Sequence, residues 1–518
     1  MRVQRLIAIL GLTLLSTVLP GEVATASPAL GFDLDRATIP QLQRLMDRGS
    51  LSSVRLTQTY LDRIKTVDVK VNAVLKVDDT ALAQAKASDQ RRRSGHSRGP
   101  LDGIPVLLKD NIDTRGLTTT AGSRALLGSP PSADATLVAR LRQAGAVVLG
   151  KANLSEWANF RSTHSTSGWS GVGGQTNNPY VLDRNPCGSS SGSGAAVAAS
   201  LAQVAIGTET DGSIVCPSAA NGIVGHKPSL GLVSRTGVVP ISLEQDTAGP
   251  MARNVEDVAI TLSVLQGRDR SDKATLAYPS TQPTDYASAI RPRALRGARI
   301  GVWRNAGVDK DVDRIVERNV SLLRAQGATV VDVDLPYQAE IAEVEFPALI
   351  TEIARDLPIY LQHRPRAPQT IQALVDFNRR DPVELSKFGQ ELFEQAATAP
   401  GPDDPTYRRQ RQTTTTLARR SIDETLAAHH LDAIIAPTNS PAWPTDYTAG
   451  DAYILGTSTP AAASGYPSTT VPAGYVGHLP IGLSFIGPQW SDAKILSLAA
   501  AFEKAYPIRH APRYLPTT

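Results

Sequence analysis

The run IPVLLKD at residues 104–110 sets the fold class of this chain. It is apolar until its last two residues, which predicts a buried strand with Lys109 at its tip. Residues 135–144 then have the apolar spacing of a helix, Gly145 ends it, and residues 146–149 form a second apolar run. Strand, helix and strand in this order predict a βαβ unit, and therefore an α/β protein with a parallel or mixed sheet.

Similar segments continue on both sides of this unit. Further strands are predicted at residues 204–206, 299–303, 328–333, 431–436, 469–472 and 481–485, and further helices at residues 54–67, 80–88, 195–202, 312–326 and 491–505. Residues 161–194, in contrast, are rich in Gly, Ser, Thr and Asn and show almost no periodicity. A long loop inside a compact domain is usually functional, so we expect chemistry in and near this segment.

Composition excludes several classes of partner. The chain has 518 residues, with 53 Lys and Arg against 49 Asp and Glu, so its net charge is +4. This near balance gives no reason to expect nucleic acid or an anionic membrane as a partner, and we interpret the short basic run Arg91, Arg92 and Arg93 as a solvated loop. The eight histidines are scattered and none has ligand spacing with a cysteine, so we expect no metal. We expect no organic cofactor either.

The N-terminus has the pattern of an export signal. Two arginines precede an apolar stretch at residues 6–19, and the triplet ATA at residues 24–26 follows as a small-residue cleavage site. The apolar stretch is short for a membrane span, which disfavours an N-terminal anchor. We therefore predict a signal peptide at residues 1–26 that is cleaved after Ala26, a mature domain at residues 27–518, and a secreted or periplasmic location without stable membrane insertion.

The sequence contains two cysteines, Cys187 and Cys216. Both lie close to the segments in which we expect chemistry. A disulfide requires that the two Cα atoms approach to within about 7 Å, and spacing along the chain does not give that distance. At this stage the pairing of the two cysteines stays open.

The motif GSSSG at residues 188–192 allows two interpretations that we do not favour. It matches the G-x-S-x-G nucleophile elbow, which would make Ser190 the nucleophile of a hydrolase. A five-residue match is common in a stretch this rich in Gly and Ser. A flexible linker is the other interpretation, but apolar helix and strand patterns follow the motif directly.

A second motif, GTETDGS at residues 207–213, places Ser213 directly after a turn of small residues. The successive backbone N–H groups of Thr210, Asp211, Gly212 and Ser213 can converge on one point in such a turn. Fixed donors of this kind are what the oxyanion of a tetrahedral intermediate requires. An ordinary turn in which Ser213 is a helix N-cap is the alternative.

Taken together, these motifs resemble those of the amidase signature family. The resemblance is densest at about residues 101–253, with GIPVLLKD at 103–110, GSSSGS at 188–193, GTETDGS at 207–213, GHKP at 225–228, GVVP at 237–240 and DTAGPMAR at 246–253. APT at 436–438 and GYPS at 465–468 extend it over most of the chain. The resemblance implies the amidase signature fold, a single large α/β domain whose central mixed sheet has helices on both faces.

The resemblance also assigns roles to residues. It implies that Ser213 is the nucleophile, that Ser189 bridges it to the catalytic Lys109, and that Ser190 supports them by hydrogen bonds. A buried lysine can act as a base because desolvation disfavours the ammonium form. A cis peptide bond between Gly188 and Ser189 is a further implication.

Departures from the usual family pattern point to one branch. Cys187, Ser191 and Asp211 stand where the family usually has glycine, and with NLSEWANF at residues 153–160 they resemble the peptide amidases, which remove the C-terminal amide of peptides. A carboxylate that faced the oxyanion would oppose catalysis, so we expect the Asp211 side chain to face away. Residues 335–430 are expected to shape the substrate cleft.

Three alternatives to a peptide amidase remain. The first is an amidase of the same family that acts on small aryl, aliphatic or fatty amides. The second is a component of a tRNA-dependent amidotransferase, which export disfavours. The third is an inactive binding protein on the same scaffold, which we disfavour because Lys109, Ser189 and Ser213 are all present.

Overall fold

An eleven-stranded mixed β-sheet runs through the centre of the protein. The computed structural model describes residues 31–305, 307–453 and 456–518. The strands are β1 (Val74–Val77), β2 (Pro105–Lys109), β3 (Val147–Ala152), β4 (Trp169–Ser170), β5 (Gly174–Gln175), β6 (Val204–Glu209), β7 (Val224–Lys227), β8 (Thr247–Ala252), β9 (Arg299–Val302), β10 (Thr329–Asp332), β11 (Ala433–Pro437), β12 (Ser468–Val476) and β13 (Leu479–Ile486). β4 and β5 pair separately, and the central sheet has the order β1-β3-β2-β6-β8-β7-β12-β13-β11-β9-β10.

Helices cover this sheet. They are α1 (Ile39–Asp47), α2 (Ser53–Val71), α3 (Ala81–Arg93), α4 (Thr136–Gln143), α5 (Ser191–Ala198), α6 (Val215–Ala220), α7 (Val255–Leu265), α8 (Lys310–Ala325), α9 (Gln338–Leu361), α10 (Ile371–Arg380), α11 (Glu391–Ala397), α12 (Pro405–His429), α13 (Thr459–Ser464) and α14 (Asp492–Ala505). Every residue of β2, β3, β6, β8 and β13 is buried. Because successive side chains of a strand point to opposite faces, both faces of the sheet are covered, and the predicted fold class is confirmed.

The predicted βαβ unit forms the first part of the sheet. β2 is parallel to β3, with Pro105 opposite Val147, and parallel to β6, with Val106 opposite Val204. From β6 to β11 in the sheet order, neighbouring strands are antiparallel, whereas β11, β9 and β10 are parallel. The parallel strands β2 and β6 therefore bring their carboxyl ends, and the segments that follow them, to one edge of the sheet.

A second apolar cluster lies beside the main core. It joins α9, α10 and α11 to the segments around Trp157 and Ile241, and the rings of Trp157 and Phe393 lie 5.5 Å apart. These helices belong to residues 335–430, the region that was predicted to shape the cleft. Their apolar side chains pack against the loops that follow β3 and β7, which places them at the same edge of the sheet.

The interpretation of Arg91–Arg93 as a solvated loop is wrong. α3 continues to Arg93, so the three arginines occupy its last turn, where positive charge stabilises the helix terminus. Arg91 Nη2 donates to Asp102 Oδ1 at 2.5 Å, and Arg92 pairs with Asp47. The basic run is an anchoring feature of the fold.

The predicted signal peptide, residues 1–26, and its cleavage site after Ala26 lie outside the described residues. Within the described ranges, no helix combines the length and the apolar character that a bilayer span needs.

Candidate active site

A cleft of about 700 Å³ opens beside the carboxyl end of β6. The loop Thr210–Ser213 forms its floor, and the segment around Asn159 lines it together with Cys187 and Gly188. The rest of the lining comes from α9, α11 and the loop before α13, with the side chains Glu345, Phe346, Leu349, Leu392, Trp443, Asp451 and Tyr453. The predicted nucleophile Ser213 therefore lies in the floor of a cleft between the sheet and the helices of residues 335–430.

Lys109 lies at the tip of β2, as predicted, and its side chain is buried. Its Nζ donates to Ser189 Oγ at 2.8 Å, to Thr208 Oγ1 at 2.8 Å and to Thr208 O at 3.2 Å. Burial lowers the pKa of Lys109 to about 7, although the charges of Asp246 and Glu209 act in the opposite direction. A substantial fraction of Lys109 is therefore neutral at neutral pH.

Ser189 follows the predicted cis peptide bond from Gly188, which the structure contains. Its backbone carbonyl accepts from Ser155 N–H at 3.0 Å, and its hydroxyl faces Lys109. Ser190 is fully buried, and its Oγ both donates to Thr208 O (3.1 Å) and accepts from Thr208 N–H (3.2 Å). Ser190 thus supports Thr208, which in turn holds Lys109, and does not reach the cleft as the nucleophile of an elbow must.

The segment that contains Ser213 combines free and occupied backbone donors. Ile214 N–H and Val215 N–H both donate to Glu209 Oε2, at 2.7 and 3.0 Å. The N–H groups of the four residues before them, Thr210–Ser213, make no hydrogen bond to another described residue. Gly212 has φ +77°, a conformation that favours glycine, and this allows the chain to turn here. The loop in the floor of the cleft therefore carries backbone N–H groups without a hydrogen-bond partner among the described residues, which an oxyanion site requires.

Ser213 does not cap a helix, because α6 begins at Val215 and its N-cap residue is Ile214. The Asp211 carboxylate accepts from Thr459 Oγ1 at 2.6 Å and is directed to the start of α13. Burial raises the pKa of Asp211, and burial together with the Asp211 charge raises the pKa of Glu345 to about 8. The cleft is thus lined by several carboxyl groups and by no Lys, Arg or His among its described lining residues.

The two cysteines form a disulfide, with 6.0 Å between their Cα atoms. Cys187 precedes Gly188 and Ser189, and Cys216 lies three residues after Ser213. Both cysteines line the cleft. The bond therefore joins the two serine-bearing segments covalently.

Removal of the disulfide is expected to destabilise the fold. The two cysteines are 29 residues apart in the sequence. Loss of the bond gives the unfolded chain more conformational freedom, which should lower the free energy of unfolding by roughly 3–4 kcal/mol. A Cys187→Ala/Cys216→Ala variant should unfold at lower temperature and lower denaturant concentration than the parent. Dithiothreitol should destabilise the parent and leave the variant unchanged; equal sensitivity of both proteins would contradict the role of this bond.

Several residues of the site carried no separate signal in the sequence. Thr208 stands inside a recognised motif, but its two contacts with Lys109 depend on how β6 lies beside β2. Glu345 and Phe346 are on α9, where no helix was predicted, and only the tertiary packing places them at the cleft. No group of three metal-ligating side chains occurs in the described part of the chain.

Known proteins resemble this chain over most of its length. The family model described as Amidase matches residues 55–496. A probable amidase of Arabidopsis thaliana is 37% identical over 522 aligned positions, which cover 97% of each protein. A glutamyl-tRNA(Gln) amidotransferase component of Roseiflexus castenholzii is 38% identical over 496 positions, which cover 91% of this chain and 96% of that protein.

Solved structures extend the similarity to three dimensions. The native peptide amidase of Stenotrophomonas maltophilia has a TM-score of 0.89 with 48% identity and covers 92% of this chain and 99% of its own. A peptide amidase in complex with the competitive inhibitor chymostatin has a TM-score of 0.90, with the same identity of 48% and the same coverages of 92% and 99%. The sequence motifs, the mixed sheet and these matches agree, and the chain belongs to the amidase signature family of amide hydrolases.

Proposed function

We propose that this protein hydrolyses the C-terminal carboxamide of peptides to the free acid and ammonia. The observation that carries the proposal is the contact of Lys109 with Ser189 beside a cleft that contains Ser213 and unoccupied N–H donors. The similarity to a peptide amidase over most of the chain favours peptides as substrates, and a peptide amidase of this similarity binds chymostatin as a competitive inhibitor.

Lys109 is the base in the proposed mechanism. When Nζ is neutral, its two N–H bonds can go to Thr208 O and Oγ1, and its lone pair is left for the Ser189 hydroxyl proton. Ser189 passes its proton to Lys109 and takes the proton of Ser213, while Ser213 Oγ attacks the carbonyl carbon of the amide. The C=O bond becomes a C–O⁻ bond, and the backbone N–H groups of Thr210–Ser213 stabilise this charge.

The second half of the reaction uses the same relay in reverse. Ser189 gives its proton to the amide nitrogen and regains one from Lys109, the C–N bond breaks, and ammonia leaves an ester of Ser213. Water then attacks this ester and loses a proton to the relay, and the collapse of the second tetrahedral intermediate releases the acid. Because burial lowers the pKa of Lys109 to about 7, Lys109 can both accept the proton from Ser189 and return it near neutral pH.

Mass spectrometry of a C-terminally amidated peptide tests the proposed substrate. Incubation with the protein should increase the peptide mass by about 1 Da, the difference between a hydroxyl and an amino group, with all internal bonds intact. The same peptide with a free C-terminus is the matched control and should keep its mass. Turnover of small aryl or fatty amides with no change in the peptide amide would overturn the peptide proposal and favour the small-amide alternative.

We also propose that the protein is exported, with removal of residues 1–26. The signal-like N-terminus supports this, and a structural disulfide is typical of proteins outside the cytosol. Expression of the whole sequence should give a secreted or periplasmic protein whose intact mass corresponds to a chain that starts at Ser27. A chain that retains residues 1–26 in a membrane fraction would contradict the proposal.

A further inference from the structure

The peptide unit between Thr210 and Asp211 is fixed from outside the cleft. Gln245, a fully buried residue just before β8, donates from its side-chain Nε2 to Thr210 O at 3.1 Å. Thr210 is also held by its side chain, whose Oγ1 donates to Asp246 Oδ1 at 2.6 Å. Two adjacent residues of one loop therefore hold the backbone and the side chain of Thr210.

The neighbours of Gln245 leave its amide only one orientation. Arg411 of α12 donates from Nη1 to Gln245 Oε1 at 2.9 Å, and a guanidinium has no acceptor. The amide oxygen must therefore face Arg411, and the nitrogen must face the opposite side. There Nε2 donates to Thr210 O and to Glu345 Oε1 (2.6 Å), so both of its N–H bonds are used.

Arg411 itself is held firmly. Its Nε and Nη2 donate to the two carboxylate oxygens of Glu352, each at 2.6 Å, and Glu352 is fully buried on α9. Such a bidentate pair fixes the plane of the guanidinium as well as its position. The contacts thus run without a break from Glu352 through Arg411 and Gln245 to Thr210.

The consequence lies on the other side of the Thr210–Asp211 peptide. In a trans peptide unit the carbonyl and the following N–H point in opposite directions, and Gly188–Ser189 is the one cis bond among the described residues. A carbonyl of Thr210 that is fixed toward Gln245 therefore directs the N–H of Asp211 away from Gln245. That N–H has no other partner in the described ranges and belongs to the loop that forms the floor of the cleft.

We infer that Gln245 is a positioning residue for the oxyanion site: its side-chain amide, oriented by Arg411, holds the Thr210–Asp211 peptide so that the Asp211 N–H points at the developing negative charge. The inference rests on the proposed use of Thr210–Ser213 as the oxyanion site. Through Arg411 and Gln245, α12 would then influence the chemical step, although none of its residues lines the cleft.

Gln245→Leu should lower kcat by roughly 10- to 100-fold and leave KM within a factor of two, because a misdirected donor weakens binding of the transition state and not of the substrate. Gln245→Glu has nearly the same shape and keeps an oxygen for Arg411, but it loses both donors and should be at least as slow. Gln338→Leu is the matched control, because Gln338 Nε2 also donates to a carbonyl, Pro336 O at 3.1 Å, and to a hydroxyl, Ser421 Oγ at 2.9 Å, away from the cleft.

Two inhibitors distinguish positioning from a general loss of structure. A peptide aldehyde forms a tetrahedral adduct with a serine and needs the oxyanion donors, whereas the corresponding peptide alcohol binds without an adduct. Gln245→Leu and Gln245→Glu should weaken binding of the aldehyde by the same factor by which they lower kcat, and they should leave binding of the alcohol unchanged. Equal weakening of both inhibitors, or full activity of either variant, would overturn the inference.

The readout does not depend on peptides being the natural substrate. The ratio of variant to parent can be measured on any amide that the parent cleaves, including a small aryl amide. If the parent ignored peptide amides but Gln245→Leu slowed aryl amide hydrolysis as stated, the substrate proposal alone would fail. If the parent cleaved peptide amides and Gln245→Leu cleaved them with the same kcat, the positioning inference alone would fail.

Discussion

Ser213→Ala is expected to reduce amide hydrolysis by roughly 10⁴-fold or more, because an alanine cannot form the acyl-enzyme and the relay from Lys109 has nothing to activate. Initial rates on a peptide amide, with intact mass as the readout, measure the loss. Ser218→Ala is the matched control: it removes a hydroxyl five residues further along the same segment, and that hydroxyl makes no hydrogen bond in the described structure. Ser218→Ala should keep near-parental activity.

A covalent probe extends this test to the competing nucleophile. A fluorophosphonate should label the parent on the peptide that contains Ser213 and should not label Ser213→Ala. Ser190 is buried and occupied by Thr208, so the peptide that contains Ser190 should stay unmodified. Label on Ser190, or activity retained by Ser213→Ala, would contradict the assignment of the nucleophile, and a parent that neither reacts nor turns over amides would favour the inactive scaffold.

Lys109→Met is expected to lower kcat/KM by roughly 10³-fold or more and at the same time to raise the thermal stability of the protein. The activity falls because methionine cannot accept the Ser189 proton. In the parent, kcat/KM should decrease about tenfold per pH unit below pH 7, where Lys109 becomes an ammonium, and should reach a plateau above it. A profile that is flat from pH 5 to 8 would exclude Lys109 as the base.

The stability gain follows from the depressed pKa. In the unfolded chain the lysine keeps its usual pKa of 10.5, so as pH falls from 10.5 to about 7 the unfolded state gains a proton that the folded state does not bind. Folding stability is lost over this window, and the loss is complete below about pH 7. Methionine does not titrate, so the variant does not lose this stability. Thr208 keeps Asn111 and Ser190 as hydrogen-bond partners. The variant should therefore unfold at a higher temperature than the parent at pH 7, and the difference between the two unfolding temperatures should become smaller toward pH 10.5.

Lys151→Met provides the opposite case. Lys151 is also buried, on the neighbouring strand β3, but its Nζ lies 3.3 Å from Asp110 Oδ1. The same substitution would leave a buried carboxylate without its charge partner and should lower the unfolding temperature. Destabilisation by Lys109→Met as large as that by Lys151→Met would contradict the view that Lys109 is kept for chemistry at the expense of stability.

Much of the site could be predicted from local sequence. The apolar run before Lys109 indicated a buried strand, and the family motifs predicted the cis peptide bond at Ser189; the structure contains both. The roles that the motifs imply for Ser189 and Ser213 stay predictions. The strands β7 and β8 were missed because His226, Lys227, Gly249 and Pro250 interrupt their apolar pattern. Their polar groups are acceptable in the sheet because partners elsewhere in the chain satisfy them, such as Thr469 and Asp492 at His226.

The remaining features depend on distances that spacing along the chain does not contain. The pairing of Cys187 with Cys216 required the approach of two segments, and Asp211 could be oriented only once α13 was in place. Part of the cleft lining comes from α9, which carries Glu345 and Phe346. The sequence predicted no helix here, and α9 contains Pro347 and Pro358, which are unfavourable inside a helix. Local patterns therefore identified the residues that we propose for the chemistry, whereas tertiary packing determined the shape around them.

The contact between Arg411 and Gln245 limits how substrate range can be altered by exchanging parts between relatives. The proposed reacting groups come from residues 109–213, whereas much of the cleft lining comes from α9 and the segments that follow. A chimaera with a foreign lining is therefore an obvious route to new specificity. Such a graft would also replace the guanidinium that orients Gln245. Donor segments should therefore be chosen for an arginine at the position of Arg411 and a glutamate at that of Glu352, and chimaeras without them should bind the new amide but turn it over slowly.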